Sequence, residues 1–257
     1  MILAVLQARV SSSRLPRKVL KPILGEPMLF RQIERIRRSK RLDQLVVATS
    51  TDPSDDPLAE ACQSRGIALA RGSLNDVLQR FVDACGPYAP DTVVRLTGDC
   101  PLFDWEVLDQ TIELFQSGGY DYACNCEPPT FPDGLDAEVM RYDALLQAHK
   151  ESVLPSEREH VTQFIRKRPE RFRLGNLVSP QDLSALRWTV DEPEDFAFVE
   201  AVYTELYAAK PDFLSADILE LMARVPTLGQ MNQGIIRNEG LLKSLQADKV
   251  FLEETKS

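Results

Sequence analysis

The chain opens MILAVLQARVSSSRLPRKVL, residues Met1 to Leu20, and a change of character inside this stretch governs the reading of the rest. Ile2 to Leu6 is an unbroken apolar run of strand length. Gln7, Ala8 and Arg9 then lead into consecutive serines, Arg14, Leu15, Pro16 and Lys18. Open α/β sheets place ligand sites just beyond the carboxyl ends of their strands, where a buried parallel strand gives way to a polar loop. Serine hydroxyls, backbone N–H groups and the charges of Arg9, Arg14 and Lys18 suit a polyanion, a triphosphate above all. A solvated surface loop would carry the same residue types, and charge alone does not separate the two readings. Neither GxxxxGK[ST] nor GxGxxG occurs, so a phosphate cradle here rests on side chains more than on glycines.

Outward from this loop, strands and helices alternate. Helical spacing runs from Met28 to Ser39, followed by a strand Leu45 to Ser50 and a helix Asp56 to Arg65. A short strand Ile67 to Ala70 precedes a helix Leu74 to Cys85, with Ser73 or Asn75 near its N-terminus. Thr92 to Leu96 is a strand, and TGDCPLFD links it to a helix Trp105 to Ser117. This spacing implies βαβ units. Right-handed crossovers close them into a three-layer αβα sandwich with a mostly parallel sheet.

After Gly119 the rhythm changes. Strands are expected at Tyr120 to Cys124, Leu135 to Met140, Phe172 to Leu177 and Leu186 to Val190. Between them lie the loop EPPTFPDG and helices at Tyr142 to Lys150 and Ser156 to Arg166, where Ser156 and Glu159 have capping-box spacing. From Pro193 the pattern is helical, over Pro193 to Ala208, Ser215 to Arg224 and Asn238 to Ala247. Without repeats or a linker, residues 1–257 read as one domain with a modified second half.

A net charge of −9 argues against non-specific binding to nucleic acid or to an anionic membrane. No apolar run reaches membrane-spanning length and no leader pattern is present, so a cytoplasmic location is expected. Cys62, Cys85, Cys100, Cys124 and Cys126 form no CxxC pair and read as reduced thiols. With only two histidines in the chain, zinc is not expected.

Two carboxylates stand where strands end. Asp99, beside Thr97 and Gly98, follows the strand at Thr92 to Leu96 and suits Mg²⁺, while Asp104 is better placed to cap the next helix. Asp191, in RWTVDEPED, is delivered just before a helix with Pro193 in its first turn. There a second metal ligand and a plain helix-dipole partner both fit. Asp133, Asp136 and Glu138, in FPDGLDAEV, are either a substrate-facing set or a turn with a solvated edge.

ARxxSxRLPxK, read as Ala8, Arg9, Ser12, Arg14, Leu15, Pro16 and Lys18, resembles the phosphate loop of the sugar-acid cytidylyltransferases. These are the CMP-Kdo and CMP-sialate synthetase group, and the similarity is greatest to their SpsF-like branch. GDxPL at Gly98 to Leu102 and the VDxPEDF-like segment from Val190 match further motifs, in the same order. The resemblance implies a nucleotide-diphospho-sugar transferase-like fold and a CTP-dependent cytidylyl transfer to a sugar acid or related acidic acceptor. It implies a nucleotide site of Gln7, Ala8, Arg9, Ser12, Arg14, Lys18, Arg71, Asp76, Thr97 and Gly98, and Mg²⁺ on Asp99 and Asp191. Arg14 and Lys18 would neutralise the leaving pyrophosphate. Asp133, Asp136, Glu138, Arg158 and His160 would hold the acceptor. Residues 120–180 would combine acceptor recognition with a homodimer contact, and residues 193–257 would form a helical C-terminal part. Arg17 stands where the family usually has glycine, and arginine disfavours a positive φ. Gln230 to Leu245 resembles the branch's C-terminal tail, for which the residues suggest no role. Two other functions fit the same sheet: a glycosyltransferase using a nucleotide-sugar donor, for which TGDCPL supplies one aspartate of a DxD element, and a non-catalytic nucleotide-binding partner.

Overall fold

A computed structural model describes residues 1–235 and 239–254. β1 (Ile2–Gln7) is followed by a small hairpin of β2 (Pro22–Ile23) and β3 (Glu26–Pro27), then by α1 (Met28–Ile36) and β4 (Gln44–Ser50). Next come α2 (Asp56–Ser64), β5 (Leu69–Gly72), α3 (Val77–Cys85), β6 (Thr92–Thr97) and α4 (Trp105–Gly118). The second half supplies β7 (Tyr122–Cys124), β8 (Glu138–Arg141), α5 (Tyr142–Glu151), α6 (Pro155–Glu159), α7 (Gln163–Arg166) and β9 (Leu174–Asn176). α8 (Pro193–Leu206), α9 (Ser215–Arg224) and α10 (Glu239–Glu254) follow.

Among the described residues, seven strands form one sheet in the order β5-β4-β1-β6-β8-β7-β9. Every neighbouring pair is parallel except those made by β8, which runs against β6 and β7. The alternation of β1 divides its side chains between two layers. Leu3 and Val5 pack with α3 and α5, whereas Ala4 and Leu6 pack with α1, α4 and α8. All four are fully buried, and burying a Leu or Val stabilises by roughly 1.5–3 kcal/mol each. β1 is therefore the fixed axis from which the opening loop departs.

The αβα sandwich matches the expectation, and several local details do not. β5 lies two residues later than Ile67 to Ala70 because the chain leaves α2 through a turn at Gly66 (φ 61°). α1 stops at Ile36, and α3 begins at Val77, capped by Asp76 (to Gln79 N, 2.9 Å) in place of Ser73 or Asn75. The expected helix Ser156 to Arg166 is broken into α6 and α7 around Val161, which has φ 55°. Ser156 and Glu159 form no capping box; the Ser156 hydroxyl donates to Asp248 instead, at 2.6 Å. Leu186 to Val190 is no strand. Its polar groups are taken one by one: Trp188 N by the Asp133 carbonyl (2.6 Å), Val190 N by the Asp99 carbonyl (2.8 Å), and the Arg187 carbonyl by Asn232 (2.9 Å). The last helix reaches Glu254, and Asn238, its expected start, lies outside the described residues.

Arg17 occupies the left-handed region, with φ 59° and ψ 22°, so the loop keeps a glycine-like path despite its side chain. That conformation costs a non-glycine residue on the order of 1–2 kcal/mol, and the wider freedom of glycine in the unfolded chain offsets part of any gain from replacing it. Arg17→Gly is therefore expected to raise unfolding stability by about 0.5–1 kcal/mol, and Arg17→Val to lower it. Urea midpoints of the two variants check this.

Candidate active site

β1 and β6 are neighbours, and their carboxyl ends open into one cleft. Gly98 lets them approach, since a Cβ there would lie 2.9 Å from Ala8 Cβ and 3.0 Å from the Gln7 carbonyl oxygen. The opening loop is anchored from below. The fully buried Asp55 carboxylate accepts Val10 N at 2.6 Å and Ser50 N at 3.1 Å, tying the loop to the end of β4. Arg17 N donates back to the Val10 carbonyl at 3.1 Å, and the short helical turn Lys18–Leu20 follows. This path turns Arg9, Ser12, Arg14 and Lys18 into the cleft.

Lys18 is the centre of the site. Its ammonium donates to the Val190 carbonyl at 2.7 Å and to Asp191 Oδ1 at 2.9 Å, and lies 3.5 Å from Asp99 Oδ2. Burial works against its charge, but Asp99 and Asp191 outweigh burial and its pKa is raised. Asp191 receives two further cations: Arg14 at 3.0 Å, which also reaches Glu192 at 3.3 Å, and Arg187 at 3.1 Å. Burial would push the Asp191 carboxyl up, yet Lys18, Arg14 and Arg187 together hold it below its ordinary value. Beneath it, the fully buried Asp195 accepts Asp191 N (2.9 Å), Glu192 N (3.0 Å), Arg187 Nε (2.9 Å) and Asn232 Nδ2 (2.9 Å). Asp195 thus does the capping at the start of α8, which leaves the Asp191 carboxylate to the cleft. Asp104 likewise caps α4, accepting Glu106 N at 2.9 Å, and Asp99 is free of that duty.

The cleft has two lobes that meet at Gln7, Arg14, Thr97, Asp99, His160 and Asp191. The first, of about 520 Å³, takes in Ala8, Arg9, Ser12, Lys18, Gly98 and Arg158. The second, of about 280 Å³, takes in Asp133, Asp136 and Glu138. In the second lobe Arg187 holds Asp133 at 3.1 Å, and Arg95 on β6 holds Glu138, its cross-strand partner on β8, at 2.7 Å. Among the described residues Glu138 Oε2 is buried without a hydrogen-bond partner. Its chemistry suits a hydroxyl or amino donor. Asp99 and Asp191 both face the same ammonium, Asp191 at 2.9 Å and Asp99 at 3.5 Å, and oxygen donors of this kind suit Mg²⁺, which needs no more than one or two protein carboxylates.

Two expected nucleotide residues stand apart from both lobes. Arg71 bonds the Ser50 carbonyl at the end of β4 (2.8 Å) and Asp56 at the start of α2 (2.7 Å). Asp76, the α3 cap, pairs with Arg158 (Nε, 3.0 Å), and this places Arg158 against the first lobe, away from Asp133 and Asp136. Other lining residues were not among the expected site residues: Arg80, Arg95, Gln163 and Arg166, Arg187 at the head of RWTVDEPED, and Gly240 with Leu241 of the tail segment, at the start of α10. Arg80 and Arg95 did leave a trace in the sequence, each being a cation at a position where the apolar period calls for a buried residue. α10 is held down through Asp248, which accepts Ser156 N at 2.8 Å, and through Ser244, 2.9 Å from His160 Nε2.

The sequence profile of the family described as cytidylyltransferase matches residues 3–241. The spore coat polysaccharide biosynthesis protein SpsF of Bacillus subtilis is 35% identical over 232 residues, covering 88% of this chain and 95% of that one. The 3-deoxy-manno-octulosonate cytidylyltransferase of Zea mays is 34% identical over 116 residues, 44% of this chain and 38% of its own. A solved cytidylyltransferase from Leptospira borgpetersenii superposes with a TM-score of 0.85 at 33% identity, covering 92% of this chain and 99% of that one.

His160 sits where the lobes meet, and burial together with Arg95 holds its pKa below the ordinary 6.5. In the unfolded chain it takes up a proton first, so its contribution to stability is complete above pH 6.5 and is lost as pH falls toward the depressed native value. Wild-type stability should therefore drop between pH 7 and about pH 5 by more than that of His160→Gln. An NMR titration placing the His160 pKa at or above 6.5 would contradict this.

Proposed function

This chain belongs to the cytidylyltransferase family, and from that premise we propose that it couples CTP to an acidic sugar, giving a CMP-sugar and pyrophosphate for surface polysaccharide assembly. The observation that carries the reading is the convergence of Asp99 and Asp191 on Lys18 at the junction of two lobes. One lobe has the cations a triphosphate needs; the other has the carboxylates and arginines that suit a polyhydroxylated acid.

The reaction is a displacement at the α-phosphorus by an acceptor oxygen, with pyrophosphate leaving. It needs no nucleophilic side chain; positioning and charge neutralisation supply most of the acceleration. Arg14 and Lys18 neutralise charge as it builds on the leaving pyrophosphate, and removing one such preorganised donor typically costs about 10²–10³-fold in rate. Asp99 and Asp191 are the residues that would hold Mg²⁺, which supplies charge stabilisation at phosphate oxygens when bound. Glu138 and Asp136 orient the acceptor from the second lobe, and His160, neutral at pH 7, borders both reactants. Arg71 and Asp76 serve the site indirectly, through β5 and through Arg158.

Among the described residues no helix is long and apolar enough to cross a membrane. A cytoplasmic location and a homodimer complete the reading. Leu146 and Val153, both exposed, lie in the 120–180 region through which two copies would pair, and sedimentation equilibrium tests that pairing.

The enzyme is tested by pyrophosphate release from CTP and Mg²⁺ with a panel of sugar acids that includes 3-deoxy-manno-octulosonate. Release that needs both CTP and an acid is expected, and release with no acid of the panel would defeat the proposed acceptor class. Asp99→Asn should lower turnover about 10²-fold or more with little change in melting temperature, and near-normal turnover at saturating Mg²⁺ would remove it from the metal site. Lys18→Ala should weaken CTP binding far more than CMP binding. Equal losses would place Lys18 away from the outer phosphates.

A further inference from the structure

A glutamine on α1 grips the turn that carries Asp99. Gln32 is fully buried, at a position where the spacing of Leu29, Ile33 and Ile36 calls for an apolar side chain. Its amide reaches across to the end of β6. Nε2 donates to the Thr97 carbonyl at 2.8 Å, and Oε1 accepts from Cys100 N at 3.3 Å. A carbonyl only accepts and a backbone N–H only donates, so these two partners fix which end of the amide is which. Gly98 and Asp99 are the two residues spanned by this grip. A buried polar side chain is costly unless it is bonded, and a methionine or leucine would fill the same place without that demand.

The rest of the turn is fixed from other directions. Gly98 N donates to the Gln7 carbonyl at 2.8 Å, and the Asp99 carbonyl accepts Val190 N at 2.8 Å and the Thr189 hydroxyl at 3.2 Å. The Cys100 carbonyl accepts Phe103 N at 3.0 Å, and the Pro101 carbonyl accepts the Tyr203 hydroxyl at 2.8 Å. Leu29, three residues before Gln32 on the same face of α1, covers Gly98, where a Cβ would lie 3.0 Å from Leu29 Cδ1. The Asp99 carboxylate is held more loosely, with Oδ2 3.5 Å from Lys18 Nζ and Oδ1 3.4 Å from Cys100 Sγ. A fixed backbone beneath a loosely committed carboxylate suits a ligand for a cation that arrives with the substrate. Its aim is set in advance, and its oxygens are released with little loss.

We propose that Gln32 is a positioning residue that aims the Asp99 carboxylate at the metal–nucleotide pair, a reading that rests on the site proposed above. Without its amide the Thr97 carbonyl and Cys100 N lose their partners. The peptides on either side of Gly98-Asp99 can then turn about the anchors that remain, and the carboxylate swings with them. Groups that orient a metal ligand typically contribute about ten- to a hundred-fold in metal affinity or activity. Gln32 acts through the backbone of its ligand, which places its effect at the lower end of that range.

The test is calorimetric titration of the full chain with CTP, once in Mg²⁺ and once in EDTA, and the ratio of the two affinities is the readout. Thermal melting checks folding. Gln32→Met keeps the length of the side chain but removes both bonds, and should lower the ratio about ten-fold while CTP binding in EDTA is unchanged. Gln32→Glu keeps the acceptor for Cys100 but loses the donor to Thr97; it should also lower the ratio, and serves if the methionine variant fails to fold. Asp99→Asn should remove most of the ratio, and Gln32→Met added to it should take away nothing further, since the two act through one group. A ratio unchanged in a folded Gln32 variant, equal weakening of CTP in Mg²⁺ and in EDTA, or a further loss in the double variant would each overturn the assignment. A wild type whose CTP binding ignores Mg²⁺, or an Asp99→Asn variant that keeps the ratio, would defeat the metal role of Asp99 and that of Gln32 with it. Pyrophosphate release that fails with every acid leaves the ratio standing and counts against the acceptor class alone.

Discussion

Lys18 holds its ammonium between Asp191 at 2.9 Å and Asp99 at 3.5 Å, with the Val190 carbonyl at 2.7 Å as a third acceptor. These groups come from three distant parts of the chain: the loop after β1, the end of β6 and the turn before α8. Desolvation makes such a buried pair a weak source of net stability, yet removing one partner strands the other at about 3–5 kcal/mol. The knot therefore specifies which three segments meet more than it adds to their stability. Arg187, largely buried, and the fully buried Asp195 extend it downward, and every added hydrogen bond there narrows the positions open to the Asp191 carboxylate.

That convergence depends on strand order. β1 is flanked by β4 and β6, so the loops leaving β1 and β6 open side by side, and Gly98 removes the one Cβ that would hold them apart. β8 then runs antiparallel beside β6, bringing Glu138 opposite Arg95 and putting the second lobe next to the first. The reversed strand in an otherwise parallel sheet is what sets the second lobe beside the first.

Residues whose role is local were legible in the sequence. The apolar run of β1, the Asp104 cap and the proline at the start of α8 each act within a few residues of themselves, and each is found as read. The loop motif placed Arg9, Ser12, Arg14 and Lys18 in one cleft, and Asp99 and Asp191 beside them. What could not be read depends on partners far away. Leu186 to Val190 has the composition of a strand, but its N–H groups are met by Asp133 and Asp99, and no strand lies beside it. Arg158, expected among the acceptor residues, is paired with Asp76, 82 residues earlier, and lines the first lobe. Ser156 has the spacing of a cap, and Asp248 takes its hydroxyl from the last helix. Arg17 is the opposite case: its neighbours impose a left-handed backbone that its own preference opposes.

The pairing of charges in the cleft bears on how a nucleotide would be received. The cations that suit a triphosphate are already engaged: Lys18 by two aspartates, Arg14 by Asp191 and Glu192. A bare polyanion that draws Lys18 and Arg14 to itself leaves Asp99 and Asp191 undercompensated in a half-buried setting, and each such carboxylate resists the exchange. A polyanion accompanied by a divalent cation offers both halves of the trade, new anions for the lysine and arginine and a new cation for the aspartates. On the proposed reading the site is therefore built for a metal–nucleotide pair more than for either component alone. The acidic balance of the whole chain, −9, adds to this preference by opposing uncompensated anions.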